Sequence, residues 1–221
     1  MSDHIVLQPP DRELTFCADQ LPLLTAHILL PRWEDRKGGR FNRYYRACAQ
    51  QFQRTCRHEL FPRAETAYLH ALENASPIPQ WQARLTATVT LRRHHLVSLR
   101  SDTRVTGMPQ PYAGCLGDTW DLRHGLLLSL PDCFAPRTPW RKRMLEAASL
   151  RIEDWENRGI ARYHDNWRQE IHRAFHAHRF YLTEEGLCFF FPLGSIAPPV
   201  EGIPTFCLPY DPQTGPFVPE E

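Results

Sequence analysis

The chain has 221 residues, which is room for one domain or for two small ones. Apolar residues make up 42% and charged residues 23%, which excludes a wholly disordered or a fibrous protein. The 26 Lys and Arg residues balance 25 Asp and Glu residues to a net charge of +1, so composition gives no electrostatic reason to bind nucleic acid or an anionic membrane.

The N-terminal residues predict an arm followed by two strands. Residues 1–12 are expected to form a loose arm. Leu14–Cys17 and Leu21–Leu30 both have strand character, and an interruption around Asp19–Pro22 separates them.

A long helix is predicted after Gly38 and Gly39, which break the preceding pattern. Apolar residues then recur at steps of three or four, the spacing of one helix face. These residues are Phe41, Tyr45, Cys48, Phe52, Cys56 and Leu60. We expect the helix to continue over Arg63–Asn74, with a kink or short break at Pro62 because proline disrupts a helix interior.

The clearest strand signal lies in the middle of the chain. Apolar residues alternate there with threonines, a period of two that predicts one buried and one wet face. The run is Leu85, Thr86, Ala87, Thr88, Val89, Thr90 and Leu91. Val97–Val105 returns as a second strand of an antiparallel hairpin, and Cys115–Leu122 with Leu126–Leu130 predicts another pair.

Two further helices are predicted in the second half of the chain. Thr138 and Pro139 are typical of a helix start. An apolar stripe follows and ends near Gly159; its members are Met144, Ala148, Ile152 and Trp155. The second helix is predicted over Asn166–Phe175.

The chain is expected to end in a hairpin, a strand and a tail. Phe180–Thr183 and Leu187–Phe191 form the predicted hairpin around the turn Glu184–Gly186. Thr205–Leu208 is a last short strand, and residues 211–221 are expected to be a flexible tail.

Together these elements predict an α+β fold. Hairpins are interrupted by blocks of helix and no βαβα alternation occurs, which disfavours a doubly wound parallel sheet. We predict a single domain over residues 13–210, with an antiparallel sheet and helices packed on one face.

The cysteines and the N-terminus bear on the cellular compartment. Seven cysteines occur, at positions 17, 48, 56, 115, 133, 188 and 207, and their odd number excludes a complete intramolecular disulfide framework. Their apolar neighbours predict that most are buried reduced thiols. No secretory signal or membrane-spanning stretch is recognisable, so we expect a soluble cytoplasmic protein. A chain trimmed from a longer one would instead fit an extracytoplasmic location.

Two clusters of residues are candidate ligand sites. His172 and His176 are four positions apart on a predicted helix, so both could face one metal ion. Arg173 and Arg179 would oppose a cation, and we therefore predict a solvated helix face, with no metal and no cofactor.

The second cluster is basic and aromatic, and consists of Arg137 with Trp140–Arg143. Four basic residues at a helix start could contact phosphate, but they are few and they oppose the helix dipole. We predict no nucleic-acid partner.

Motifs for nucleotide binding and for a serine nucleophile are absent from the sequence: there is no GxxxxGK[ST] or GxGxxG phosphate loop and no GxSxG elbow. Cys115, in a glycine-rich loop, is the least apolar cysteine that could act as a nucleophile. A small enzyme remains an alternative, with its site assembled from Cys115, His164, Asp165 and His172. The preferred prediction is a protein that is not an enzyme and has no catalytic residue.

A family resemblance lies in the C-terminal half. Phe180–Phe191, then Ile196–Pro198 and Gly202–Tyr210, together resemble the C-terminal signature of the RsiV-type family of bacterial domains. That signature is a hairpin ending in aromatic residues, an IAPY turn and a closing strand ending in IPY. Thr119–Gly125 and Leu128–Phe134 are similar to the family's strand, turn and L-x-D-L-F step.

The resemblance implies an α+β fold and a non-enzymatic role in recognition. The family is named for the extracellular sensor domain of an anti-sigma factor, which binds lysozyme and then becomes open to proteolysis. Other members accompany cell-wall deacetylases. This chain has Thr106–Pro109 near the place of the family's GGAH loop, so no contact residue is transferred to it. Since no transmembrane helix or sigma-binding segment precedes the domain, we do not expect a complete membrane anti-sigma factor.

The resulting prediction is a non-catalytic binding or sensor domain. Its ligand is a protein such as lysozyme or a cell-wall-related molecule, bound at residues that the sequence does not identify. An intracellular protein-interaction module is a further alternative, using the helix faces of Phe41–Leu60 or Met144–Trp155.

Overall fold

The computed structural model describes residues 5–8, 13–34 and 38–219. Its strands are β1 (Ile5–Gln8), β2 (Leu14–Ala18), β3 (Leu21–Trp33), β4 (Trp81–Arg93), β5 (Leu96–Thr106), β6 (Tyr112–Asp121), β7 (Leu126–Leu127), β8 (Phe180–Leu182), β9 (Gly186–Phe190) and β10 (Thr205–Pro209). Its helices are α1 (Gly39–Thr55), α2 (Phe61–Glu73), α3 (Trp140–Asn157) and α4 (Trp167–Ala174). The α+β class predicted from the sequence is confirmed.

The strands of the described residues form two sheets. Seven strands make one sheet in the order β1-β3-β4-β5-β6-β7, with β2 paired to β3, and β10-β9-β8 make the other. The chain divides into two compact units. The first unit is Met1–Ala87 with Ser101–Ala113, and the second is Thr88–Arg100 with Gly114–Glu221.

In the first unit, β3 pairs with β1, β2 and β4. It forms a hairpin with β2 through Asp19 and Gln20, which both have positive φ (47° and 66°), as a tight hairpin turn requires. β1 also pairs with β3, with Ile5 opposite Trp33. The expectation of a loose arm is therefore wrong for Ile5–Gln8, and the rest of residues 1–12 lies outside the described residues.

One strand pair of this unit is parallel, which corrects the prediction of a purely antiparallel sheet. β3 and β4 run in the same direction, with Leu24 opposite Trp81 and Ile28 opposite Leu85. A parallel pair needs a long crossover. The helical segment between the two strands, which includes α1 and α2, supplies it.

The predicted interruption of the long helix takes the form of a π turn. Cys56–Leu60 form this turn between α1 and α2, and the Phe61 N–H donates to the Cys56 carbonyl. Pro62 follows in the first turn of α2. Proline lacks an N–H and its ring crowds the carbonyl four residues earlier. The backbone hydrogen bonds therefore change from the α pattern to a π turn just before Pro62.

In the second unit, the three-stranded sheet sends alternate residues to opposite faces. Leu187 and Phe189 of β9 face a large core that also contains Phe206 of β10. The intervening Cys188 belongs to a small separate cluster with Tyr181 and Phe190.

The cysteine prediction is corrected at one pair. Cys188 and Cys207 are directly opposite in β9 and β10 and form a disulfide. Cys56 and Cys133 are buried thiols as predicted, and burial raises their pKa to about 11 and about 12. Cys17 is exposed, so buried thiols are a minority of the seven.

The C-terminal segment is packed over its described residues, which corrects the expectation of a flexible tail. The Phe217 N–H donates to the Cys133 carbonyl at 2.9 Å, and Val218 packs against the large core. The Asp211 carboxylate accepts hydrogen bonds from Thr214 and from Arg143 of α3. Segment 211–219 is therefore packed within the second unit, to which α3 also belongs.

Gly186 is required for close strand packing and not for a positive φ in the turn. A Cβ placed there would collide with the Leu208 backbone carbonyl of β10. We therefore expect Gly186→Ala to lower the free energy of unfolding by about 2–4 kcal/mol, because a backbone group cannot yield as a flexible side chain can. Urea denaturation measures the change.

Gly39→Ala is the matched control for this substitution. No atom lies within 4 Å of a Cβ at Gly39, in the first turn of α1, so its effect should stay within about 1 kcal/mol. Equal effects of the two substitutions would contradict the packing explanation.

The Asp211 contacts predict a pH-dependent contribution to stability. The Thr214 hydroxyl, followed by the Gln213 backbone N–H, holds the pKa of Asp211 below its ordinary value. A lowered folded-state pKa stabilises the protein above the ordinary carboxylate pKa of about 4, and this contribution is lost as the pH falls through the folded-state pKa. The stability difference between wild type and Asp211→Asn should thus be constant near neutral pH and shrink below about pH 4. Urea titrations at several pH values test this, and a difference independent of pH would refute it.

Candidate functional site

An open groove runs along α3 in the second unit. Its volume is about 1050 Å³. It is lined by Thr138, Pro139, Trp140, Arg141, Lys142, Leu145, Glu146, Ser149, Leu150, Glu153 and His172. With the exception of His172 of α4, these residues belong to α3 or directly precede it.

The sequence of α3 divides its surface between core and groove. Met144, Ala148 and Ile152 are fully buried in the large core, as the helical stripe predicts. Leu150 departs from that stripe and its side chain is 68% exposed. A large apolar side chain thus lies open to solvent within the groove.

The C-terminal segment supports the end of the groove at which α3 begins. The Thr138 hydroxyl donates to the Thr214 carbonyl at 3.2 Å, and the Ala135 N–H donates to the same oxygen at 3.3 Å. Arg143, in the first turn of α3, donates to Asp211 at 3.4 Å. The loop around Asp211 and Thr214 therefore helps to fix the start of α3.

Arg141 joins α3 to the end of α4. Its guanidinium donates to the His172 carbonyl at 3.2 Å and lies 5.7 Å from the centre of the Phe175 ring. The Trp140 ring lies 6.3 Å from the same ring. Carbonyls at a helix C-terminus lack helical partners, so an arginine there satisfies one of them.

Charges of both signs line the groove as intramolecular pairs. Lys142 lies 3.6 Å from Glu146 one turn along α3, and Glu153 accepts a hydrogen bond from Arg168 of α4 at 2.9 Å. The Ser149 hydroxyl donates to the Leu145 carbonyl at 2.9 Å. The groove thus offers apolar contact beside paired charges, which suits binding of a mixed apolar and polar surface.

The four residues considered for an enzyme occupy different environments. Cys115 of β6 is half-buried against the cluster of Tyr181, Cys188 and Phe190. His164 lies between α3 and α4, and its Nε2 is 3.2 Å from the Gly194 carbonyl. Asp165 is exposed next to it, while His172 lines the groove.

The histidine spacing considered for a metal is not helical. α4 ends at Ala174 and Phe175 is already extended, so His176 lies beyond the helix that carries His172. Within residues 5–8, 13–34 and 38–219, no group of three or more His, Cys, Asp or Glu side chains is placed to hold a metal ion.

The basic cluster at the start of α3 has partners in its own chain. Arg141 contacts α4, Lys142 pairs with Glu146, and Arg143 contacts Asp211. These cations contribute to the structure around the groove.

The two helix faces considered for a partner are largely buried. Phe41, Tyr45 and Phe52 of α1 lie in the core of the first unit, and Met144 and Ile152 of α3 lie in the core of the second. The side of α3 that stays exposed faces the groove and carries Leu150. The sequence signal for this surface is a leucine outside the apolar stripe of the helix.

Comparisons with known proteins find similarity to one family, whose function is unknown. A family model described as "Protein of unknown function (DUF3298)" matches residues 132–211, the segment that builds the groove. The chain is similar to a DUF3298 family protein from Pseudomonas aeruginosa PAO1, with 17% identity, a TM-score of 0.60, and coverage of 95% of this chain and 91% of that one.

It is also similar to a DUF3298 member from Bacteroides fragilis NCTC 9343, with 14% identity, a TM-score of 0.59, and coverage of 95% and 89%. At these identities the likeness establishes the fold. No curated protein matches the chain. Among the described helices, none is both long and apolar enough to cross a membrane.

Removing the Arg141 side chain tests the link between the two helices. Arg141→Ala should speed amide exchange over residues 172–178 several-fold and lower the free energy of unfolding by about 1 kcal/mol, because a hydrogen bond and a cation–π contact are lost. Hydrogen–deuterium exchange mass spectrometry measures the first effect. Lys142→Ala breaks only an exposed ion pair and should change stability by less than about 0.5 kcal/mol. Equal exchange in the two variants would contradict this role of Arg141.

Proposed function

We propose that this chain is a non-catalytic binding domain of the RsiV type, and that the groove along α3 takes a segment of a protein partner. Lysozyme is the partner that the sequence resemblance suggests. The observation that carries the proposal is Leu150, an exposed leucine in a groove that belongs to the DUF3298-matching segment.

The composition of the groove supports a protein ligand. Protein interfaces combine an apolar centre with a polar rim and are enriched in tryptophan and arginine. Leu150 and Trp140 supply apolar contact, and Arg141 and the Lys142–Glu146 pair supply the rim. The Trp140 ring is half-buried and tilted against Phe175, which leaves less aromatic surface for a sugar ring to stack on.

The disulfide supports an extracytoplasmic location for this function. Disulfides such as Cys188–Cys207 persist mainly in oxidising compartments, outside the cytoplasm. A sensor of lysozyme would act there. The residues that resemble the RsiV-type signature, 180–210, lie within the family match and include this disulfide.

The test measures lysozyme binding by isothermal titration calorimetry. Wild type should bind, and Leu150→Glu should weaken binding at least about ten-fold, because it places a charge in the apolar centre. Leu69→Glu on α2 is the matched control: Leu69 is 56% exposed and lies in the other unit, so binding should be unchanged.

Other outcomes would overturn the proposal. Loss of affinity equal in both variants would exclude the groove, and no heat with lysozyme would exclude this partner. Binding of soluble peptidoglycan fragments, unaffected by Leu150→Glu, would assign the protein to glycan recognition instead.

A further inference from the structure

The two residues of the Cys188–Cys207 disulfide differ in exposure. Cys188 is 3% exposed, whereas Cys207, directly opposite on the edge strand β10, is exposed to solvent. Thiol–disulfide exchange requires a thiolate to reach one sulfur. We therefore expect a thiolate to approach from the side of the exposed Cys207.

The buried sulfur lies in the small apolar cluster. Cys188 packs there with Tyr181 and Phe190, and Cys115 packs against the same cluster. The Arg100 guanidinium lies 5.7 Å from the centre of the Tyr181 ring and donates to its hydroxyl at 3.2 Å. Arg100 thus holds the hydroxyl end of the Tyr181 ring in this cluster.

β10 leads directly into the loop that supports the groove. The strand ends at Pro209, and Asp211 and Thr214 follow with their contacts to Arg143 and Thr138. The disulfide closes a span of 19 residues and ties this strand covalently to β9. Anything that releases β10 therefore loosens the support of α3.

We propose that Cys207 is a modification site for small thiols, and that its reaction removes the covalent tie between β10 and β9, so that this strand and the loop that fixes the start of the α3 groove open more often. The modification rests on the difference in exposure between the two cysteine residues. The effect on ligand binding rests, in addition, on the function proposed above for the groove.

The exchange balances without a separate oxidant. A small thiol loses its proton to water, and its thiolate attacks the Cys207 sulfur. A new disulfide forms between the thiol and Cys207 as the Cys188–Cys207 bond breaks, and Cys188 leaves as a thiolate that takes a proton from water. The incoming sulfur is oxidised and the Cys188 sulfur is reduced. A second thiol attacking the incoming sulfur completes the reduction and frees Cys207.

After the exchange, β10 keeps its backbone pairing with β9, and its Phe206 and Leu208 side chains stay in the large core. The Tyr210 hydroxyl donates to the Thr183 carbonyl at 2.7 Å. Loss of a covalent tie across such a span lowers the local opening free energy, so the strand should open more often without the protein unfolding.

The experiment treats the full chain with graded reduced glutathione, followed by acid quenching, alkylation and peptide mass spectrometry. The glutathione adduct should form on Cys207 in at least ten-fold excess over Cys188. In parallel, amide exchange over residues 205–217 and 138–143 should rise about ten-fold or more on modification, while exchange in α1 stays unchanged.

Matched variants separate this site from the other cysteines. Cys17→Ser removes an exposed thiol elsewhere and Cys115→Ser removes the thiol beside the cluster, and both should leave the Cys207 adduct intact. Cys188→Ser with Cys207→Ser should show the faster exchange without glutathione. Adducts on Cys188, loss of the Cys207 adduct in Cys115→Ser, no adduct, or adducts without faster exchange would each overturn the proposal. These measurements use no lysozyme, so they can succeed where the binding function fails.

Discussion

The structure of the second unit depends on its central strand β9. The two faces of β9 pack into different clusters, and its two edges pair with different strands. Its residues Leu187 and Phe189 contribute to the aromatic core on which α3 and α4 pack. Cys188 faces the other way and forms the covalent link to β10. Pairing with β8 on one side and β10 on the other leaves Gly186 no room for a side chain. The packing of the core, the disulfide and the close approach at Gly186 therefore all depend on the register of β9 with its neighbouring strands.

The elements that the sequence predicted well are those defined by local period. The alternation of apolar residues and threonines in β4 and the helical stripe of α3 both report which side of the element is buried. The break in the long helix was also predicted close to its observed place, since the π turn Cys56–Leu60 lies just before Pro62. Such helices and strands can be predicted because burial of one side repeats apolar residues with the period of the element.

Pairings between distant segments could not be predicted in the same way. The short strand β1 exists because β3 offers it an edge, and the parallel pairing of β3 with β4 depends on the long helical crossover. The C-terminal segment lacks a period, but hydrogen bonds from Arg143 and to Cys133 hold it. The disulfide was missed for a similar reason: seven cysteines allow many pairings, and only the register of β9 and β10 selects Cys188 with Cys207.

The groove was only partly accessible to sequence reasoning. Arg141 and His172 were noted for their charge and metal-binding chemistry, whereas the structure uses Arg141 to join two helices and places His172 at the groove. Leu150 is only a weak sequence signal for a binding site, since a single leucine on a polar helix face is common in proteins that bind nothing there. Its neighbourhood of Trp140 and paired charges becomes visible only when α3 and α4 are placed side by side.

The two compact units are interleaved along the chain. The backbone passes from one to the other three times, at 87–88, 100–101 and 113–114, within the strands β4 and β5 and again within β6. Neither unit is a continuous stretch of sequence, so no single cut releases either of them whole. A ribosome must therefore synthesise the chain as far as residue 113 before the first unit is complete, and by then it has already made the Thr88–Arg100 part of the second unit.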